Sequence, residues 1–195
     1  MKDDVNQRIA RRVKELRAAQ GISLTGLSVK SGVSRSMISL IERGETSPTA
    51  AVLEKLAVGL DTSLAGLFDA SPAPRAVPNP LSRRADQLEW KDPASGYRRR
   101  NVTPPGLAAP FQIVEVRFPA GQKVTFDNHG RGERLHQQLW MLSGRMDLTC
   151  GHDTQRLTEG DCLAMTLDRV TTFHNPTTRP AHYVVVITAG AEVRR

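Results

Sequence analysis

The sequence predicts a two-domain chain, an all-α unit of five short helices over residues 1–70 followed, after a linker over 71–84, by an all-β unit over 85–195. Three observations predict it. Apolar residues recur at helical spacing as far as about residue 70, prolines then crowd together, and beyond about residue 85 the apolar period becomes two. A length of 195 residues is sufficient for two domains.

The helices come first. Ile9, Val13 and Leu16 lie at i, i+4 and i+7, and Leu53, Leu56 and Leu60 at i, i+3 and i+7, which gives each segment one apolar stripe. Gly21, Gly32, Gly44, Pro48 and Gly59 punctuate the stripes. Five helices fit, at about 5–20, 24–31, 34–43, 49–59 and 63–69. Ser23, Ser34 and Ser63 stand where a hydroxyl can accept from an orphan amide at a helix start. Gly26 falls inside the second helix, where glycine costs about 1 kcal/mol.

The stretch from Ser71 to Pro80 holds four prolines in ten residues. Proline lacks the donor that helix and paired strand need, so this is a stiff, extended linker. Beyond it Val114, Val116 and Phe118 alternate with Glu115 and Arg117, and Met146, Leu148 and Cys150 alternate with Arg145, Asp147 and Thr149. Tyr183 to Ile187 is apolar throughout. Glycine-bearing turns at Gly121, Gly144, Gly151 and Gly160 separate the runs, the pattern of an antiparallel sandwich or barrel.

The net charge of +7 suits a polyanionic partner, but its distribution argues against a purely bulk effect. Residues 1–70 carry ten Lys/Arg against eight Asp/Glu, residues 71–110 seven against three, and residues 111–195 ten against nine. The surplus is central, notably at Arg98-Arg99-Arg100, so DNA binding at the N-terminus must rest on a local pattern. Two cysteines, Cys150 and Cys162, cannot form a disulfide framework and are expected to be reduced thiols. With no apolar run of membrane-spanning length and a polar start, a cytoplasmic protein is expected, without membrane partners.

Residues 22–48 form the local pattern. Two short helices flank a turn at Gly32, and Leu27, Val33, Ile38 and Ile41 are spaced to pack the pair against the first helix. The second helix of the pair then turns Arg35, Ser36, Ser39 and Arg43 outward, small or donor-bearing residues suited to base edges. Backbone amides near Glu45–Ser47 are placed for phosphates. In Arg17–Leu24, Gly32–Ser36, Ile38–Gly44 and Ser47–Thr49 the chain resembles the lambda-repressor-like XRE helix-turn-helix family over about residues 7–69. The resemblance implies that Ser34–Arg43 is a recognition helix, and that Arg17 and Glu42 form an ion pair behind it. The candidate DNA-contacting set is Ser23, Thr25, Ser34, Arg35, Ser36, Ser39, Leu40, Arg43, Thr46 and Ser47.

Two landmarks, Glu133–Gly144 and Gly160–Thr166 with Phe173-His174-Asn175 after it, resemble the cupin superfamily, whose fold is a small jelly-roll barrel. The resemblance implies a metabolite-binding domain that helps to dimerise the protein. Many cupins hold a metal through histidines and a glutamate, but here the glutamate position is Gln137 and a histidine position is Thr171, neutral side chains poor as ligands. No metal cofactor is expected at the usual site. His129, Glu133, His136 and His174 could only rebuild one from displaced positions, and strand alternation sets His136 opposite to Gln137 and His174 opposite to Thr171. An organic ligand suits the lining better: Gln137 and Thr171 as hydrogen-bonding groups, Leu139 and Met141 as apolar wall, and Arg131 or Arg134 to neutralise a carboxylate. Trp140 faces away from Leu139, toward an inter-sheet or dimer contact.

The sequence thus predicts a non-enzymatic, sequence-specific DNA-binding transcriptional regulator. Its partners would be a double-stranded DNA operator, a small-molecule effector and a second copy of the chain. A metal-dependent cupin enzyme tethered to DNA and an antitoxin-like interaction protein are the alternatives.

Overall fold

The structure is a computed structural model that describes residues 5–68, 79–106, 109–130 and 135–189. The N-terminal unit has four α-helices: α1 (Val5–Ala19), α2 (Leu24–Ser31), α3 (Arg35–Glu42) and α4 (Ala50–Gly59). The expected fifth helix is instead a single 3-10 turn, Ala65–Phe68. Four residues cannot offset the cost of nucleating an α-helix, and Gly66 lowers the propensity further. All three serines expected as caps do cap: the Ser23 hydroxyl accepts from Gly26 N–H, that of Ser34 from Met37 N–H and that of Ser63 from Gly66 N–H. Gly32 ends α2 at φ 67°, a left-handed conformation that glycine adopts freely. Ile9, Val13, Leu27, Ile38, Ile41, Leu53 and Leu56 are all buried and form the core of this unit. Burial contributes roughly 1.5–3 kcal/mol for each large aliphatic side chain.

Of the expected linker, residues 71–78 lie outside the described residues. A short 3-10 turn at Arg84–Asp86 precedes ten strands: β1 (Glu89–Lys91), β2 (Arg98–Asn101), β3 (Phe111–Phe118), β4 (Lys123–Phe126), β5 (Leu135–Ser143), β6 (Arg145–Cys150), β7 (Asp153–Thr158), β8 (Cys162–Thr166), β9 (Thr171–His174) and β10 (Ala181–Ala189). They form two antiparallel sheets, one ordered β1-β2-β3-β10-β5-β8 and the other β4-β9-β6-β7. The apolar strand β10 lies at the centre of the larger sheet, hydrogen-bonded to β3 and β5. The sheets pack face to face: Phe173 of β9 stacks on Tyr183 of β10, with centroids 6.3 Å apart. Gly144 turns β5 into β6 at φ 82°, where a Cβ would meet the Ala181 backbone at 2.9 Å. Cys150 and Cys162 are free thiols in different sheets.

The two units are not merely tethered. Helix α4 packs against β4, and the buried Asp92 carboxylate, just after β1, accepts from Ala50 N–H at the start of α4 at 2.9 Å. The same carboxylate accepts from Ser95 N–H and its hydroxyl. Ser63 Oγ donates to Gln112 Oε1 at 2.8 Å, and Asn101 Nδ2 to Ala65 O at 3.3 Å. Phe68 of the 3-10 turn packs on Trp90 of β1, with centroids 5.7 Å apart.

Candidate nucleic-acid interface and the cavity behind it

Helix α3 carries the first site. Ile38 and Ile41 are fully buried, which fixes the rotation of the helix and leaves Ser34, Arg35, Ser36 and Arg43 exposed and Ser39 and Leu40 half-buried. Behind it Arg17 of α1 grips Glu42 at both oxygens, Nε to Oε1 at 2.6 Å and Nη2 to Oε2 at 2.8 Å, while Nη1 donates to Ile22 O. The pair is largely buried, at 17% and 8% side-chain exposure, and raises the Arg17 pKa chiefly through the hydrogen bond to Glu42. It locks the tilt of α3 against α1.

The outward residues differ in readiness. Arg35 has no ion-pair or hydrogen-bond partner among the described residues. Ser36 Oγ shares a hydrogen bond with Ser34 Oγ. Arg43 is engaged: it donates to both oxygens of Glu45 at 2.7 and 2.8 Å and also to Ser39 Oγ. Sequence reasoning placed Arg43 and Ser39 on the base-reading face and missed this clamp. The hydrogen bond from Arg43 holds the Glu45 carboxyl below the usual carboxylate range. Ser23 and Thr25 at the start of α2 are exposed, as is Ser47, which accepts from Asn6 Nδ2; Thr46 is half-buried. The predicted contact residues therefore gather along α3 and the loops beside it.

The second site lies between the sheets and under the helical unit. A cavity of about 70 Å³ is lined on the β side by Tyr97, Arg99, Asn128, Gln137 and an apolar wall including Val114, Val185 and Ile187. On the helical side it is lined by Glu54, Ser63 and Leu64. Gln137 is buried and lines the cavity as expected, and Thr171 is buried beside it, accepting from the Asn128 side chain. Leu139 and Met141 share the inward face with Gln137 but are buried in the core, outside this lining, so the apolar wall differs from the expected one. Pleating explains it: one face of β5 serves both cavity and core. Arg131, Glu133 and Arg134 lie outside the described residues. His136 is exposed, His129 is exposed and paired with Asp127, and His174 occupies the face of β9 opposite to Thr171.

The residue that sequence reasoning overlooked is Arg99. The basic run splits by alternation: Arg98 pairs with Glu89, Arg100 pairs with Glu115, and Arg99 turns inward at 5% exposure. Its guanidinium lies 4.9 Å from the Phe68 ring centroid, while its Nε has no hydrogen-bond partner among the described residues. Burial pushes the Tyr97 hydroxyl well above its ordinary pKa, so it stays neutral. The signal was in the sequence: Tyr97 and Arg99 share a parity that Arg98 and Arg100 do not.

Two short helices about a glycine turn, the second exposed and braced from behind, define a helix-turn-helix protein. Known proteins give the same answer. The HTH_3 helix-turn-helix family matches residues 13–67. The chain is 25% identical over 171 residues to the HTH-type transcriptional regulator SutR of Escherichia coli (strain K12), covering 88% of this chain and 89% of that protein. It is 42% identical over 62 residues to the regulator SinR of Bacillus subtilis (strain 168), covering 31% of this chain and 56% of SinR. The crystal structure of an HTH_3 family transcriptional regulator from Vibrio cholerae shares the fold, with a TM-score of 0.75 at 24% identity over 97% of this chain and 100% of that one. Residues 13–67 thus carry a helix-turn-helix domain of the HTH_3 type, joined to a β-sheet domain.

Proposed function

We propose that the protein is a dimeric, sequence-specific regulator of transcription whose β domain, a cupin-type jelly roll, binds a small organic molecule. The observation that carries the DNA reading is Arg35: an exposed arginine, without a partner among the described residues, at the first turn of a helix whose tilt is fixed by the Arg17–Glu42 pair. Such an arginine can donate to guanine O6 and N7 together in the major groove. Ser36 and Ser39 then adjust to neighbouring bases or phosphates, and the Glu45–Ser47 loop supplies backbone donors to the sugar-phosphate chain.

For dimerisation the support is the outer face of the larger sheet. Trp140 is 52% exposed there, opposite Val184 in register and beside Val186 and Ile113. A second copy seated on this face would set two recognition helices at a fixed spacing, as two half-sites about one helical turn apart require.

The donor set does not fit the usual cupin metal. Gln137 and Thr171 point inward from the positions where a glutamate and a histidine would stand, and both are neutral. We therefore assign the interior to an organic effector and derive no catalytic step. The helical domain supports regulation over a tethered enzyme.

Mobility shift on DNA from upstream of the protein's own coding region tests the reading. The expected result is a salt-sensitive specific complex that Arg35→Ala weakens while the protein remains folded. An Arg35→Ala protein with unchanged affinity and sequence preference removes it.

A further inference from the structure

Glu54, Asp92 and Arg99, the buried charged residues among those described, all stand at the seam between the domains. Of these, Arg99 combines near-complete burial with an open donor. A buried guanidinium nitrogen without an acceptor is costly, and the cost disappears when an acceptor enters. The Phe68 ring packs on the guanidinium, and Arg99 lines the cavity.

We propose that this cavity receives a small carboxylate, that Arg99 is its anchor, and that the helical domain senses the occupant directly because Glu54, Ser63 and Leu64 form one wall. This rests on the reading of the β domain as an effector domain. A carboxylate can accept from the terminal nitrogens of the guanidinium of Arg99, which lines the cavity. The Gln137 and Asn128 amides offer further donors, and the rest of the wall is aliphatic or aromatic, which suits a short alkyl body. Size sets the limit. The cavity is small, about 70 Å³, which favours a short ligand of the size of acetate to butyrate.

The consequence is a coupling without a relay. Arg99, Tyr97 and Gln137 belong to the β domain, and Glu54 belongs to α4, whose first amide is capped by Asp92. An occupant that bridges these walls binds best when α4 is docked, and so favours one placement of the recognition helix.

The test uses the full chain without DNA. Acetate, propionate and butyrate are compared with acetamide, propionamide and butyramide at constant ionic strength, by calorimetric titration and thermal unfolding. The carboxylates are expected to raise the unfolding temperature by a few degrees and to bind at least tenfold more tightly than the matched amides. Arg99→Gln, checked for folding by circular dichroism, is expected to lose that preference. Should that variant not fold, the arginine Nε–H resonances of the unsubstituted protein decide, since saturating butyrate is expected to shift one of them, assigned through Arg99→Lys. Leu64→Ala is expected to weaken butyrate at least threefold. Amides that bind as well as carboxylates overturn the ligand class and leave the effector reading standing. Carboxylate binding with no Arg Nε shift overturns the anchor, and an unaffected Leu64→Ala overturns sensing by the helical wall. If no probe binds, the proposal fails, while the mobility shift still reports on DNA binding by itself.

Discussion

On the outer side of α3, Arg35 stands exposed without a partner among the described residues, while Arg99 is packed on Phe68 and walled in by both domains. Glu45 and Asp92 make a parallel contrast. The first is an exposed carboxylate clamping Arg43, the second a buried one capping α4 across the domain boundary. In water a charge is cheap to hold and free to change partners, which a reading surface needs. Inside the protein a charge must be satisfied where it stands, which a joint needs. The recognition face should therefore tolerate substitution in stability and lose function, and the seam and its supports should do the reverse.

The largest expected effect falls on the support behind the reading face. Arg17→Ala leaves the Glu42 carboxylate nearly buried without its bidentate partner. Urea unfolding should show a loss of about 2–4 kcal/mol, with specific DNA binding lost as α3 loosens. A smaller effect places α3 differently, on its own packing rather than on the pair.

At the seam, Asp92→Ala strips the cap from Ala50 N–H and the acceptor from Ser95. A loss of about 1–3 kcal/mol by the same measurement is expected. If stability is unchanged, the domains are tethered rather than joined. Arg35→Ala should leave stability within about 0.5 kcal/mol and cost about 1–3 kcal/mol of specific DNA affinity, roughly ten- to a hundredfold by mobility shift or anisotropy.

Glu45→Gln sharpens the contrast in the other direction. It frees Arg43 and removes a negative charge near the phosphates, so affinity should rise about two- to fivefold at low salt. The sign of the pH dependence follows from the lowered Glu45 pKa: its contribution is complete above the unfolded carboxylate range and fades only as pH falls through the folded value. Between pH 6 and 8 the difference between variant and unsubstituted protein should therefore stay constant. The smallest effect is a gain. A Cβ at Gly26 would meet Ser23 Oγ at 3.5 Å and Ile22 Cβ at 3.7 Å, ordinary contacts, so Gly26→Ala should stabilise by about 0.5–1 kcal/mol in thermal unfolding.

Much of the helical unit was legible because its signals are local. Two serine caps, the Gly32 turn and the apolar stripes placed four helices within a residue or so of their observed ends. The expected fifth helix was the miss, since a 3-10 turn and a short helix share the same apolar spacing at that length. In the β unit, alternation placed Gln137 inward and Trp140 on the face opposite to Leu139, and the structure exposes that face rather than packing it between the sheets. Alternation could not separate cavity wall from core, which is why Leu139 and Met141 were expected beside the ligand. Nor does the sequence alone show that Arg43 and Glu45, two positions apart, clasp each other across the end of α3.

Residue order alone determined the division into a helical and a β unit, the exposed helix that follows Ser34 with its Arg17–Glu42 brace, and the inward placing of the neutral Gln137 and Thr171, because each depends on near neighbours or on a recurring spacing. The tertiary structure decided that Asp92 caps a helix 42 positions earlier in the chain, and that Glu54, Ser63 and Arg99 line one cavity. Those pairings are set by how two finished units dock, and docking depends on surfaces that exist only after each has folded.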